Sequence, residues 1–284
     1  MWAEAQSAAA ANRTQIVAAL QQAAAATGSD FHYLLSTAMR ESGLKSQAQS
    51  STSSASGLFQ FVDQTWLGLV KKYGAQEGLG AAANAITTDG TGHYRVADNA
   101  DRQAILALRN NPTVASLMEG HYAQESKSTL QNVLGRDVGD GELYAAHFLG
   151  TNAACKLIQM NQSNPGAAAA SAFPQAASAN RSVFFHADGS AKSVREVCDW
   201  AEKPGTVSAS APSTASHAYV AAPVEEDNLP LEFMTGGFGM GGFSGSSTSL
   251  MAMTSSPFSL TPDIMDMLAS LTPDDTSLRS GYSS

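Results

Sequence analysis

The sequence predicts a mainly α-helical domain followed by an acidic, disordered tail, and three observations lead to this prediction. Residues 1–203 contain successive segments in which apolar residues recur at helical spacing between residues typical of helix ends. The composition changes at Lys203-Pro204-Gly205, after which Ser, Ala, Gly, Pro and Met predominate. The charge changes there too, from a balance of −2 over residues 1–203 to −7 over residues 204–284. A segment of that composition cannot bury enough apolar surface to offset its ordering entropy.

The overall composition excludes several classes of protein. Hydrophobic residues make up 43% of the 284 residues, which is enough for a sizeable core. The net charge of −9 argues against a nucleic-acid-binding protein, because such a protein needs a basic surface to displace counterions from phosphates. No stretch approaches the roughly 18 apolar residues of a membrane span. Cys155 and Cys198 are too few for a zinc ribbon or a disulfide framework. They could form one disulfide outside the cytoplasm, but two buried free thiols are favoured.

The first two helices are predicted by their apolar spacing and by their end residues. Residues 3–27 form an alanine-rich segment of high helix propensity, which Gly28 ends. Ser29 and Asp30 are good N-caps for a second helix, and Gly43 stops it. The apolar face of this second helix repeats at i, i+3, i+4 and i+7, with Phe31, Leu34, Leu35, Ala38 and Met39 and then Ser42.

A serine-rich loop then leads to the sequence GLFQF at 57–61. Asp63 is predicted to cap a third helix, whose apolar face carries Trp66, Leu67, Val70 and Tyr73. Residues 74–97 hold many glycines and are predicted to form a long loop with a short helix at 80–86.

The remaining elements of the folded part are predicted mostly to be helical. Further helices are expected at about 98–109, 112–134, 140–149 and 151–161. The segment SVFF at 182–185 is expected to be a short extended or anchoring piece, and Ser193 is expected to cap a last helix. Within the tail, residues 261–271 could form a short docking helix or only a transient one.

Glu41 is the first candidate for chemistry. It lies one helical turn from Ala38 and two from Leu34, so it borders the apolar stripe of the second helix. A carboxyl group in apolar surroundings resists ionisation, which is what a general acid needs near neutral pH. The alternative is an ordinary surface glutamate at a helix end, next to Arg40.

The residues that follow Glu41 indicate a family. Glu41-Ser42 at a helix end precedes Ala48-x-Ser50, then Gly57-Leu58-Phe59-Gln60, then Thr65. This order resembles the pattern of the soluble-lytic-transglycosylase (SLT) type of lytic transglycosylases. The chain departs from that pattern in two respects: Phe59 replaces the usual Met, and the serine loop is one residue longer.

A second part of the family pattern, Ala-Tyr-Asn-Ala-Gly, has a weaker counterpart in this chain. The segment 145–150 occupies the corresponding place after Tyr144, and His147-Phe148 stands where the family has Tyr-Asn. Tyr144 or His147 could therefore supply the hydrogen bond to Glu41. The resemblance covers about residues 28–160 and implies a lysozyme-like helical fold with a sugar-binding cleft. Residues 180–203 are expected to form an extension packed on that domain.

The resemblance also implies a mechanism that needs one carboxyl group. Glu41 would protonate the oxygen between N-acetylmuramic acid and N-acetylglucosamine, then accept the proton of the C6 hydroxyl as it closes a 1,6-anhydro ring. Ser42 would fix the Glu41 carboxyl, and Gln60 and the backbone around Gly57 would bind the sugar. Phe59, with Phe61, would form an apolar floor, although core packing explains Phe61 better. No cofactor or metal site is predicted, because the six histidines show no metal-ligand spacing.

Two other functions remain open at this point: a goose-type lysozyme-like hydrolase with a second carboxylate, and a non-catalytic wall-binding or assembly module. The expected partner is the peptidoglycan glycan strand, with an envelope-spanning machine as a further partner of the tail. The expected location is the bacterial periplasm or cell envelope, reached without a visible N-terminal signal peptide. A phage-borne wall-degrading enzyme is the alternative.

Overall fold

The computed structural model describes residues 2–203, with side chains from residue 10 onward. The predicted tail, residues 204–284, and its expected helix at 261–271 lie outside the described residues. The described part is mainly helical, as the sequence predicts. Its elements, in chain order, are α1 (Trp2–Thr27), α2 (Phe31–Ser42), α3 (Asp63–Tyr73), α4 (Gly80–Ala85), β1 (Ile86–Thr88), β2 (Tyr94–Val96), α5 (Asn99–Ala107), α6 (Pro112–Leu134), α7 (Asp140–Leu149), α8 (Thr151–Ser163), α9 (Ala169–Ala172), α10 (Pro174–Ala179), α11 (Arg181–Phe184) and α12 (Val194–Ala201).

Local capping chemistry sets the ends of several helices. Asp30 caps α2, because its carboxylate accepts hydrogen bonds from the backbone N–H groups of His32 at 2.7 Å and Tyr33 at 3.0 Å. Gly43 ends the same helix in the left-handed conformation, with φ of 60°. Ser193 caps α12 by accepting from the backbone N–H of Glu196. These three assignments confirm the ends predicted from the sequence.

The long helix α6 organises the core. It packs along α1 and also contacts α3, α7 and α8. Trp66 of α3 is fully buried, and its indole N–H donates to the Ile105 carbonyl of α5 at 2.8 Å. Each large apolar side chain buried in this way stabilises the fold by about 1.5–3 kcal/mol.

The segment 74–97 is more ordered than predicted. It contains α4 and then an antiparallel hairpin in which Ile86 pairs with Val96 and Thr88 with Tyr94. The turn between the strands is closed by Asp89, whose carboxylate accepts from the backbone N–H of Thr91 at 2.9 Å and binds Arg95 at 2.5 Å. Because each strand has three residues, no alternating pattern long enough to predict a strand exists in the sequence.

Two other predictions were wrong. Asp63 is the first residue of α3 and not its cap; its carboxylate instead binds Arg102 at 2.6 Å and Arg109 at 3.0 Å. The Asp63 carboxylate therefore pairs with one arginine in α5 and one that follows it, and not with the backbone N–H groups of α3 as a cap would. Residues 182–184 are not extended, because Arg181–Phe184 forms a helical turn, whereas Phe185 is extended and bridges to Ala191. The anchoring role of the segment holds, since Val183 and Phe184 are both buried.

Cys155 and Cys198 are both free, and Cys155 is buried. Within residues 2–203, no helix is long and apolar enough to cross a membrane. Over the same range, no cluster of three or more His, Cys, Asp or Glu side chains could hold a metal ion.

Candidate active site

Glu41 lies next to the last residue of α2, with its carboxyl group almost enclosed. Its side chain is 7% exposed. The Tyr144 hydroxyl of α7 donates a hydrogen bond to Glu41 Oε1 at 2.6 Å. Of the two candidates for this bond, the structure therefore selects Tyr144. Burial, followed by the nearby Glu41 charge, raises the pKa of Tyr144 well above its usual value, so the phenol stays protonated and can donate.

Arg40 packs against the ring of Tyr144, whose hydroxyl binds Glu41. Its guanidinium stacks on the Tyr144 ring at 3.7 Å and on the Trp200 ring at 4.3 Å. It also donates to the backbone carbonyls of Trp200, Ala201 and Lys203, at 2.8–2.9 Å. Trp200 and Ala201 are the last two residues of α12 and Lys203 follows it, and the last C=O groups of a helix need partners. Arg40 therefore ties α12 to the helix that carries Glu41.

His147 lies between Glu41 and a second, fully buried carboxylate. Its Nε2 is 3.8 Å from Glu41 Oε1, and its Nδ1 is 3.0 Å from Glu119 Oε2. Burial alone lowers the pKa of His147. The charge and hydrogen bond of Glu119, the charge of Glu41 and a hydrogen bond to the Phe59 backbone outweigh it and raise that pKa to about 9. These partners favour the charged form of the imidazole.

The sequence analysis missed Glu119. Its side chain is 0% exposed, and Tyr33 of α2 donates to its Oε1 at 3.2 Å. The helix periodicity could have indicated that Glu119 is buried, because it lies on the same face of α6 as Ala115, Ala123 and Leu130. An acidic residue at a core position of a helix needs a partner, and here the partner is His147.

Ser42 has a different role from the predicted one. Its single hydroxyl proton is shared between the Leu58 carbonyl at 2.8 Å and the Ala38 carbonyl at 3.0 Å, and its oxygen accepts from the Lys45 backbone N–H at 3.2 Å. It therefore joins the end of α2 to residues 46–61, here called the motif loop, and does not fix the Glu41 carboxyl. The register between Glu41 and the motif loop depends on this link.

Gly57 is required by its surroundings. Its φ is +84°, a conformation that residues with a Cβ rarely adopt, and an added Cβ would lie 2.1 Å from the Arg109 carbonyl oxygen. The Arg109 side chain in turn donates to the carbonyls of Ser54 at 2.7 Å and Phe61 at 2.9 Å. Arg109 thus clamps the motif loop at two points, and only a glycine fits beside its backbone.

Gln60 and Phe59 are both turned into the protein. Gln60 has φ of +51°, and its amide donates to the carbonyls of Gly57 at 2.9 Å and Ala48 at 3.2 Å. The observed bonds of Gln60 therefore shape the motif loop. Phe59 is 0% exposed, so the predicted apolar floor beneath the sugar does not exist at this residue. Phe61 is buried as well, as the core-packing alternative predicts.

A separate pocket of about 690 Å³ lies beside the hairpin. Side chains of α3, the hairpin and α5 line it, among them Gln64, Tyr94 and Arg102. Gln64 fixes the hairpin against α3, since its amide donates to the Tyr94 carbonyl and accepts from the Tyr94 backbone N–H. Glu41 is not part of this pocket.

The comparison with known families agrees with this geometry. The family model of the transglycosylase SLT domain matches residues 18–86. That segment includes Glu41 and the motif loop, whereas Glu119, Tyr144 and His147 lie beyond its end. The lysozyme-like helical fold expected from the sequence is consistent with the helices described above. Residues 18–86 of this chain therefore match a transglycosylase SLT domain, which supports the SLT-type resemblance seen in the sequence.

Proposed function

We propose that this chain is a peptidoglycan lytic transglycosylase in which Glu41 acts first as the acid and then as the base. The SLT domain supports cleavage of peptidoglycan in general terms. One observation supports the specific role of Glu41: its carboxyl is almost enclosed, and Tyr144 binds only one of its two oxygens. Among the described residues no hydrogen bond to the other oxygen, Oε2, is observed, and we assign to this oxygen the proton exchange with the substrate.

The reaction needs two proton transfers at this oxygen. In the first, Glu41 gives its proton to the glycosidic oxygen as the bond to C1 of N-acetylmuramic acid breaks. In the second, the Glu41 carboxylate takes the proton of the C6 hydroxyl, whose oxygen bonds to C1 and closes the 1,6-anhydro ring. No water is consumed, and Glu41 is protonated again. The hydrogen bond from Tyr144 stabilises the carboxylate between the two steps.

Among the described residues, Glu119 beside the site and Asp63 just after the motif loop are poorly suited to activate water. Glu119 is fully buried and already binds Tyr33 and His147. Asp63 is held by Arg102 and Arg109. A hydrolase with two carboxyl groups needs a base that reaches a water molecule on the opposite face of the sugar. The contacts of Glu119 and Asp63 therefore favour the transglycosylase over the goose-type hydrolase.

The products released from purified sacculi test this proposal. We expect mass spectrometry to show muropeptides that end in 1,6-anhydro-N-acetylmuramic acid, each lighter by one water than the reducing-end product. Reducing ends would instead identify a hydrolase. Wall binding without any release of fragments would favour the non-catalytic module.

Tyr144→Phe is expected to lower the rate of muropeptide release by about 10–100-fold. A hydrogen bond to a charged group contributes about 1.5–3 kcal/mol, and each 1.36 kcal/mol corresponds to about tenfold in rate. The phenylalanine keeps the ring on which Arg40 stacks, so the fold should be retained. Tyr73→Phe is a matched control, because the Tyr73 hydroxyl binds Glu125 and not Glu41. Equal rates for the two variants would contradict the role given to Tyr144.

We also propose that the acidic tail, residues 204–284, brings the enzyme to an envelope-spanning machine that needs a local opening in the wall. The contrast in charge and composition between the tail and residues 1–203 motivates this part of the proposal. A phage-borne enzyme is the alternative setting. The test is the cellular location of a variant that lacks residues 204–284. An unchanged location would contradict recruitment through the tail.

A further inference from the structure

We propose that Glu119 keeps His147 as a buried imidazolium, and that this cation stabilises the Glu41 carboxylate while its proton is on the substrate. The inference rests on the proposed function, because it concerns the interval between the two proton transfers of Glu41. Glu119 and His147 are positioning residues in this scheme. They act through Glu41 and do not touch the glycan.

The arrangement of the three groups is the first argument. Both ring nitrogens of His147 face a carboxylate oxygen, Glu119 Oε2 at 3.0 Å and Glu41 Oε1 at 3.8 Å. A neutral imidazole has one N–H and one lone pair, so it would direct a lone pair at one of these carboxylates. An imidazolium has an N–H at both positions. The geometry therefore suits the charged ring, and the direction of the His147 pKa shift agrees with it.

The charge balance of the buried cluster is the second argument. With Glu41 protonated, Glu119 and His147 form a neutral pair. When Glu41 gives up its proton, a negative charge appears at a position that is 7% exposed. Without the imidazolium, two carboxylates would then share this poorly solvated region, which is costly. A fixed cation that waits beside the developing charge lowers the barrier to proton transfer, because it needs no reorganisation at that moment.

One other cation, Arg40, lies near Glu41 and interacts with its charge. The guanidinium of Arg40 stacks on the Tyr144 ring and donates to the backbone carbonyls of Trp200 and Ala201, so its N–H groups are already in use. Tyr33 and Tyr144 are neutral hydrogen-bond donors, because burial raises the pKa of both. The Tyr122 ring lies beside the His147 ring. The titratable and charged groups that face the His147 region are Tyr33, Arg40 and Glu41 of α2, Glu119 and Tyr122 of α6, and Tyr144 of α7.

The charge state of His147 is measurable without any activity. Protein labelled with ¹⁵N at its histidine rings is titrated by NMR, and His147→Gln assigns the resonance. In the wild type we expect an imidazolium at pH 7 that loses its proton near pH 9. In Glu119→Gln we expect the ring to lose its proton below pH 7, because burial then acts without the opposing carboxylate.

The effect on catalysis is measured on soluble glycan strands. At pH 8, Glu119→Gln is expected to lower kcat by about 10–100-fold, somewhat less than the loss of a direct oxyanion donor, and to leave KM within about twofold. The difference in kcat between Glu119→Gln and the wild type should become smaller as the pH falls, because low pH protonates His147 again in the variant. Glu125→Gln is the matched control on the same helix, since Glu125 binds Lys72 and Tyr73 and should leave kcat unchanged.

Two results would overturn the inference: a wild-type His147 that is neutral at pH 7, or a Glu119→Gln variant with the kcat and pH profile of the wild type. The wild-type titration decides the matter even if Glu119→Gln does not fold. A wild type with a charged His147 that cleaves no glycan would contradict the proposed function and the catalytic role of the cation. The same result would still agree with the first part of the inference, that Glu119 stabilises the positive charge of His147.

Discussion

Glu41→Gln is expected to lower the release of muropeptides from sacculi by about 10²–10⁴-fold, the range attributable to general acid–base catalysis. The amide matches the carboxyl in size, and its oxygen can still accept the hydrogen bond that Tyr144 donates to Oε1. It has no proton to give at neutral pH and cannot act as a base. The initial rate of soluble muropeptide release measures the effect.

The fold should survive this substitution. Glu41 is almost enclosed, and a neutral amide at such a position costs less to desolvate than a carboxylate. The melting temperature is therefore expected to stay level or to rise. Asp101→Asn is the control for a carboxyl-to-amide change, since Asp101 is exposed on α5. Release at the wild-type rate by Glu41→Gln would remove Glu41 from the mechanism and favour a wall-binding module.

Gly57→Ala is expected to lower the free energy of unfolding by about 2–5 kcal/mol. The left-handed conformation costs an alanine about 1–2 kcal/mol, and forcing extra volume into a packed site costs about 1–3 kcal/mol more. The added Cβ would lie 2.1 Å from the Arg109 carbonyl oxygen, so the backbone of one of the two must move. Chemical denaturation with urea measures the loss. Muropeptide release should fall as well, because the motif loop shifts relative to Glu41.

Gly43→Ala separates the two contributions. Gly43 also has a positive φ, of +60°, but an added Cβ would meet no atom within 4 Å. Its replacement should cost only the conformational part, about 1–2 kcal/mol. If both variants lost the same stability, the contact between Gly57 and Arg109 would contribute nothing. A larger loss at Gly57 measures that contact.

The identity of the catalytic candidate could be predicted from the sequence because it rests on local order. Glu41-Ser42, the motif loop and Thr65 lie within 25 consecutive residues, and their spacing is visible without any knowledge of packing. The ends of α2 and α12 were equally predictable, since Asp30, Gly43 and Ser193 act on backbone groups a few residues away.

The short hairpin and the roles of individual residues in the motif loop were not predictable in the same way. Ser42 and Gln60 were predicted to serve Glu41 and the sugar, yet their observed bonds hold backbone carbonyls. Phe59 was predicted to lie under the sugar, yet it is buried. A motif records which residues occur together, but the direction of each side chain depends on what packs around the loop. Here Arg109, which is distant in the sequence, binds the loop at the carbonyls of Ser54 and Phe61.

By itself, the sequence determined the helical class and several helix ends, and it indicated Glu41 as the candidate for the chemistry. Only the tertiary structure decided which groups surround that carboxyl. Tyr144 is 103 residues from Glu41 in the chain, and Glu119 is 28 residues from His147. Such pairs form where α2, α6 and α7 pack together, and the distances between helices depend on the volumes of the whole core. Helix periodicity can place Glu119 on a buried face, but only the packing shows that this face meets His147.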